Sequence, residues 1–500
     1  MKLTFSQTAL PQEKAHDALV LFVPSGEKQF ADAQKRIVAD FPETKAVFDS
    51  GDFKAKRDSL AMTYLGGTTK SKSSRLLLVG VGESDKITLE SIRRAAATAA
   101  KAASGKKLKS LAIAVPTGLP LDAEGFGEAA TEGFCLAAYK LTRYFSDKER
   151  TSNTLESITF CSENKKALAD VKKGAEYAET VCNSTLLART LATTPNNDMY
   201  PEKLADAAQK AGKDAGFKVT VLDKKKIEAL KMYGLLAVNQ GSKRPPVFIV
   251  MEYNGGSKND KPIVLVGKGV TFDTGGVSIK PAAGMGEMKM DMHGAATVIS
   301  TMKAAANLGL KVNLVGIVPS TENMVSGSAV VPGDVIVYNN NVSVEVDNTD
   351  AEGRLILADA LIYAQKYKPQ ACIDLATLTG ACVVALGTVT TGMMGTDAPL
   401  KSRLKLAGDY THEYVCELPI YEEYEDLIKG DITDIKNAGG RYAGAITAAL
   451  FLKRFVGEMP WVHLDIAGTA MLSSDTPYAP KGASGVGVRL LCDMLRKWKG

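Results

Sequence analysis

Val264-Leu-Val-Gly-Lys-Gly-Val-Thr-Phe-Asp-Thr-Gly-Gly-Val-Ser-Ile-Lys-Pro281, followed by Met288-Lys-Met-Asp-Met-His-Gly-Ala-Ala296, is the stretch whose reading decides the fold. Residues 263–266 are four branched apolar side chains between Pro262 and Gly267, the pattern of a strand covered on both faces of a sheet. The run delivers Lys268 and Asp273 into a glycine-punctuated turn. Lys280 and Asp291 follow, and an alanine-rich helix is expected from Gly294. Packing does not explain two lysines and two aspartates gathered at the end of a buried strand. Ligand sites of open α/β sheets lie outside the carboxyl ends of their strands. The stretch therefore predicts an α/β fold with a metal site at that edge, and Asp350-Ala-Glu-Gly-Arg354 supplies its second half.

Outward from this centre, helix and strand patterns alternate. Upstream, helices are expected at 201–211 and 224–232, and strands at 218–222 and 246–252. Downstream come a helix at 294–308, a strand at 312–318, and short strands at 334–338 and 342–346 joined by Asn339-Asn340-Asn341. A helix at 355–365 and a strand at 371–375 lead to a turn over Thr377-Leu378-Thr379-Gly380. Helices at 400–412, 443–455 and 486–497 and a strand at 461–466 complete a larger C-terminal α/β domain, 198–500, with a central mixed sheet flanked by helices. Residues 165–193 carry one long helical pattern ended by Pro195 and two asparagines, so 166–197 is read as a connecting helix. Residues 1–165 alternate independently, with strands at 18–23, 75–81, 111–115 and 157–161 and helices at 88–103 and 123–144. Gly80-Val81-Gly82 lacks the third glycine of a dinucleotide fingerprint and reads as a plain tight turn.

A length of 500 residues suggests two or three domains, and 45% hydrophobic with 23% charged residues is the composition of a globular protein. Net charge is +5, from 61 basic against 56 acidic side chains, too even and scattered a balance to point to nucleic acid or an anionic membrane. Seven dispersed cysteines without a CxxC pair read as reduced thiols and favour the cytosol. No signal peptide and no membrane span is expected.

Asp273, Asp291, Asp350 and Glu352, brought together, would repel unless cations neutralise them; two divalent ions bridged by carboxylates and a hydroxide are the usual solution. Lys268 then has two readings that physical chemistry leaves open. It is a neutral amine ligand, its proton displaced by burial and a neighbouring dication, or it stays charged and pairs with an aspartate. Lys280 and Arg354 are charged groups suited to a developing oxyanion. Only four histidines are present and no HExxH, which excludes a helix-borne zinc protease. His293 reads as a satisfied helix-start residue. Gly267-Lys268-Gly269 lacks the first glycine and the hydroxyl of a phosphate loop, 347–358 lacks the ligands of a calcium loop, and no GxSxG elbow exists. A two-metal phosphoesterase would use the same carboxylates.

The stretch 266–281, the stretch 288–296, Asn348-Thr-Asp-Ala-Glu-Gly-Arg-Leu355, Asp374-Leu-Ala-Thr-Leu-Thr-Gly-Ala381 and His463-Leu-Asp-Ile-Ala-Gly-Thr-Ala470 resemble the leucyl (cytosol) aminopeptidase family of the two-metal type. The resemblance covers most of residues 170–500; the first third is similar only in architecture, which in the family is macro-like. It implies one metal held by Asp273, Asp350 and Glu352, and another by Lys268, Asp273, Asp291 and Glu352. It further implies Lys280 as the group polarising the scissile carbonyl and Arg354 as the holder of a proton-shuttling bicarbonate. Met288, Thr377, Leu378, Gly380 and Ala470 would bind substrate. The implied activity is removal of the N-terminal residue from peptides with a free N-terminus, leucine and other apolar residues preferred with broad specificity. A bridging hydroxide on two divalent metals would do this; oxygen and amine ligands suit manganese or zinc, and magnesium or cobalt also fit. A cytoplasmic homohexamer, a dimer of trimers, is implied as well.

Overall fold

The computed structural model describes residues 1–66, 71–147 and 155–499, and the chain divides into two units, Met1–Asn183 with Ser474–Pro480 and Ser184–Ser473 with Lys481–Gly500. In the first unit the apolar runs become strands β1 (Lys2–Ser6), β2 (Ala18–Ser25), β3 (Leu60–Tyr64), β4 (Arg75–Glu83), β5 (Ser110–Ala114) and β6 (Ser157–Cys161). They form one sheet in the order β1-β6-β5-β2-β4-β3, parallel throughout except for β3. Helices α1 (Glu27–Asp40), α2 (Leu89–Gly105) and α3 (Ala123–Ala137) belong to this unit. Leu19, Leu76, Leu78 and Ile113 are fully enclosed because both faces of the sheet are covered. Edge strands β1 and β3 and helix α1 were not legible in sequence. The edges are half-exposed, β1 with two separated apolar residues and β3 with only Leu60-Ala61-Met62, and α1 buries only Ala33. Helix α3 stops at Ala137, short of the expected 144.

Helix α4 (Lys165–Thr193) contains the division between the units. The second unit continues with α5 (Pro201–Ala215), β7 (Lys218–Leu222), α6 (Lys224–Ala229), α7 (Tyr233–Asn239), β8 (Val247–Asn254), β9 (Ile263–Gly267), β10 (Gly269–Asp273), α8 (His293–Asn307) and β11 (Asn313–Asn323). Then come β12 (Val335–Val337), β13 (Ser343–Glu345), α9 (Glu352–Ala364), β14 (Ala371–Ala376), α10 (Gly380–Leu386), β15 (Thr391–Gly395), α11 (Ala398–Thr411), β16 (Val415–Glu417), β17 (Ile435–Lys436), α12 (Gly444–Lys453), β18 (Trp461–Asp465) and α13 (Val488–Arg496). The large sheet has the order β16-β15-β18-β14-β9-β11-β8-β7, with β10 against the far end of β11. It is mixed: β15 opposes β18, β8 opposes β11 and β7 opposes β8. Val264 and Val266 face a core shared with α7, α9 and α12, while α8 covers β9 from the other side.

β9, β10, β11, β14 and β18 run parallel, so Gly267, Asp273, Asn323, Ala376 and Asp465 end at one edge. Three expectations differ from the structure. The segment 269–273 is a strand, not a turn, and β11 continues past Val318 to Asn323 beside it. The extension carries Ser320, Thr321, Glu322 and Asn323, all buried; their polarity ended the apolar pattern that marks a strand in sequence. The helix expected at 224–232 ends at Ala229, and a separate short helix, Tyr233–Asn239, follows beyond Lys231 with φ +53°. At the start of α7, a Cβ on Gly234 would lie 2.3 Å from Leu355 O, so only glycine lets α7 pack on α9.

Candidate metal centre

Lys268 links β9 to β10. Its amide donates to Leu375 O and its carbonyl accepts from Ala295 N, which ties it to β14 and α8. Its Nζ lies 2.8 Å from both Asp291 Oδ2 and Glu352 Oε1 and donates to Thr377 O at 3.0 Å. A Cβ on Gly353 would meet Lys268 Cε at 2.5 Å, so the first turn of α9 leaves room for this side chain only because residue 353 is glycine.

Asp273 ends β10, with Oδ1 accepting from Gly275 N and Asn323 Nδ2, each at 2.8 Å. Gly275 and Gly276, at φ +86° and +64°, then fold the chain back so that Lys280 N donates to Thr274 O. This return places Lys280 Nζ 2.8 Å from Asp273 Oδ2 and 2.5 Å from Asp350 Oδ1. The loop before α9 is laced to the same turn, since Thr349 Oγ1 donates to Gly275 O and accepts from Ser278 N. Oxygens of Asp273, Asp350 and Glu352 all lie within 4.8 Å of one another. Asp291 joins them through Lys268, and Thr377 Oγ1 donates to its Oδ1 at 2.7 Å.

Four carboxylates thus face two ammonium groups in a nearly enclosed space. Burial in the first place, with repulsion from Asp273, pushes Glu352 and Asp291 above the ordinary carboxylate range, and Asp350 is raised for the same reasons. Burial alone would lower the pKa of Lys268 and of Lys280; the acids outweigh it and hold both above the usual lysine value. The acids are short of positive charge. Asp291 Oδ2, Glu352 Oε1 and Asp350 Oδ1 are buried at ion-pair distance from a lysine but without hydrogen-bond geometry. This donor set, all hard oxygens and amine nitrogen, fits divalent cations.

Arg354 lies two residues on in α9, buried, its Nη1 donating to Asn437 O. Its Nε has no hydrogen-bond partner among the described residues, and burial lowers its pKa to about 10. Thr377 is in the network, and Leu378 N donates to Asp465 Oδ1 beside it. Met288 is half-buried, its carbonyl accepting from Asp291 N. Gly380 opens α10 and is exposed. Ala470 is buried with its backbone bonded to Ile466 and Ser484, apart from the lysine–acid network. His293 does start α8 and is fully buried, but neither ring nitrogen has a hydrogen-bond partner among the described residues, so the expectation of a satisfied residue is corrected.

Several organising residues carry no role of their own in the sequence reading, although some lie in the stretches that carry the resemblance. Asn437, fully buried, accepts from Asp347 N and Asn348 N and donates to Asn348 O, which holds the loop carrying Asp350. Asp465 accepts from Thr379 Oγ1 at 2.6 Å and sets the turn after β14. On neighbouring β14, Asp374 binds His463 Nδ1 at 2.6 Å and accepts from Trp461 Nε1 at 2.7 Å, all three side chains enclosed. Burial opposes a charge on His463, yet Asp374 and Asp465 outweigh it and hold the pKa above 6.5. A pKa raised on folding adds stability in full below about 6.5, and that stability is lost as pH rises through the folded value. Asp374→Asn should therefore cost about 3 kcal/mol near pH 6 in urea unfolding, and less towards pH 9. A deficit that grows with pH would show that His463 is neutral.

The sequence profile of the cytosol aminopeptidase family's catalytic domain matches residues 186–492, and that of its N-terminal domain matches residues 20–148. A probable cytosol aminopeptidase of Chlorobaculum parvum is 45% identical over all of both chains, and one of a Geobacter species is 45% identical over 90% of each. Among solved structures, a mutant tomato leucine aminopeptidase superposes with a TM-score of 0.87 at 31% identity, covering 100% of this chain and 97% of its own. The bottromycin maturation enzyme BotP in complex with Mn superposes with a TM-score of 0.84 at 30% identity, covering 96% and 99%. The chain therefore belongs to the cytosol aminopeptidase family, with that family's N-terminal and catalytic domains in order, and is an aminopeptidase acting on peptides.

Proposed function

We propose that the enzyme is a two-metal aminopeptidase that removes leucine and other apolar residues from peptides with a free N-terminus. The observation that carries this reading is the convergence of Asp273, Asp350 and Glu352 oxygens within 4.8 Å, with Asp291 joined through Lys268. One cation would be held by Asp273, Asp350 and Glu352, the other by Lys268, Asp273, Asp291 and Glu352, with manganese or zinc the best match and magnesium or cobalt acceptable. When bound, such a pair supplies hydroxide at neutral pH and Lewis acidity for the substrate's amine and carbonyl.

The chain's own residues supply the rest. Lys280, partly exposed and held charged by Asp273, presents an ammonium donor to the carbonyl oxygen where negative charge develops. Lys268 is fixed by Thr377 and by the room that the glycine at 353 leaves, and it would hold one cation as a neutral amine. Arg354 Nε, buried and unpartnered among the described residues, suits a small oxyanion, and a bicarbonate there would carry the proton that no side chain of the cluster is placed to accept. Thr377, Leu378 and Gly380 follow β14 at the same edge, and with Met288 and Ala470 they are assigned to the substrate's first side chain. Such a pocket separates residues differing by a methylene only weakly, which supports a broad preference. Residues 198–500 carry the catalysis, with 166–197 connecting them to 1–165. A cytoplasmic homohexamer completes the proposal.

Metal content and specificity test this reading together. Protein loaded with manganese or zinc should retain about two ions per chain and cleave leucine p-nitroanilide but not its N-acetyl form. One ion per chain, or equal cleavage of both substrates, would reject it.

A further inference from the structure

Gly80 and Gly82 do not form a tight turn; both lie within β4, and Gly80 lets another segment pass close against the strand. A Cβ on Gly80 would stand 2.1 Å from Lys56 O. The crossing segment, residues 53–59, is held by Gly82 N donating to Ala55 O, Asp58 N to Gly80 O and Gly80 N to Ser59 O. Phe53 and Ala55 are buried beneath it, and Arg94 clamps Asp58 through two nitrogens. Two of its non-glycine residues, Ala55 at φ +51° and Asp58 at φ +66°, are left-handed. Such strain persists only where the surroundings enforce it, and it concentrates at functional positions.

This strap sets Lys56 and Arg57 side by side over a cavity of about 400 Å³, within the size range of small-molecule sites. The cavity lies at the carboxyl ends of β2 and β4, where Ser25 pairs with Glu83, the edge at which open α/β sheets bind ligands. Ser25, Lys86, Glu83 and Ser91 also line it. Lys86 is paired with Glu83 at 2.5 Å, so the only acid lining the cavity is already neutralised. Lys56 and Arg57 have no ion-pair or side-chain hydrogen-bond partner among the described residues. The first turn of α2 reaches the cavity at Ser91, whose amide and hydroxyl are engaged with Thr88 in a capping box. Two cations without a side-chain partner among the described residues, on a clamped strap beside the Ser25 hydroxyl, give the cavity a cationic lining.

We propose that this cavity of the N-terminal unit binds a phosphate group, either free or on a small phosphate monoester. The site is independent of the catalytic reading. Its test is calorimetric titration of the full-length enzyme with inorganic phosphate and with AMP, at about 150 mM salt, where surface charge is largely screened. Saturable binding is expected, weakened at least about tenfold in the double variant Lys56→Gln/Arg57→Gln, with leucine p-nitroanilide hydrolysis unchanged. Arg94→Gln, which loosens the strap without removing a cation of the cavity, should weaken binding less. Tighter binding of AMP would identify a nucleotide-sized ligand, and equal affinity the phosphate alone; either supports the site. Absence of saturable binding at that salt, or equal affinity in the double variant and the wild type, would overturn it.

Discussion

Lys280→Ala is expected to keep its metal and lose most of its turnover. None of the carboxylates depends on Lys280 for its place: Asp273 is held by Asn323 and Gly275, and the loop of Asp350 by Asn348 and Asn437. Removing the ammonium leaves the acids richer in negative charge, so divalent ions should bind at least as well. What disappears is the donor nearest to solvent, whose side chain retains 21% of its exposure and can reach a substrate oxygen. Loss of one donor aimed at a developing oxyanion costs about 10²–10³-fold in kcat. The measurement is kcat and KM on leucine p-nitroanilide beside metal content per chain. A fall in kcat with full metal content is the predicted result. Near wild-type turnover would reject the role, and a rise in KM alone would make Lys280 a binding group only.

Asp273→Ala should lose both metal and activity. Asp273 is the carboxylate to which most of the site refers: Asn323, Gly275 and Lys280 all bind it, and both proposed metal positions share it. Its loss strips a ligand from each position, takes one of two acceptors from Asn323 Nδ2, which keeps Thr349 O, and leaves Gly275 N without its acceptor, at about 1–3 kcal/mol for that buried N–H. Turnover should fall beyond about 10³-fold, more than for a single oxyanion donor, and metal content should drop below two ions per chain. Asp273→Asn separates the two causes. It preserves shape and can still accept from Gly275, so it should fold as the wild type does and still fail to retain metal. An Asp273→Asn enzyme with full metal and activity would remove the residue from the centre.

The chemistry of the centre is legible in the amino-acid sequence because its residues carry it in their types. A lysine and an aspartate beside glycines at the end of an apolar run, and two acids spaced i, i+2 before a helix, have few other uses. Their supports are not legible there. Asn323 and Asn437 are ordinary residues in sequence, Asp465 shows there only as part of a longer stretch, and the three act on partners 50, 89 and 87 positions away. No local pattern announces a hydrogen bond formed across two strands or from a distant loop. The strand β10 is hidden for a related reason. Its glycine-containing sequence reads as a turn, and it is a strand because the polar end of β11 lies beside it.

Residue order alone determined the α/β class, the buried central strand, and the six lysines and acids that converge, because apolar periodicity and side-chain chemistry are local properties. Tertiary structure decided the rest. It closed Lys268 between two carboxylates rather than leaving it with one, left His293 buried without a hydrogen bond among the described residues, and made Gly80 a point of close approach instead of part of a turn. Each of these depends on which distant backbone arrives at the same place, and only packing of the whole sheet sets that.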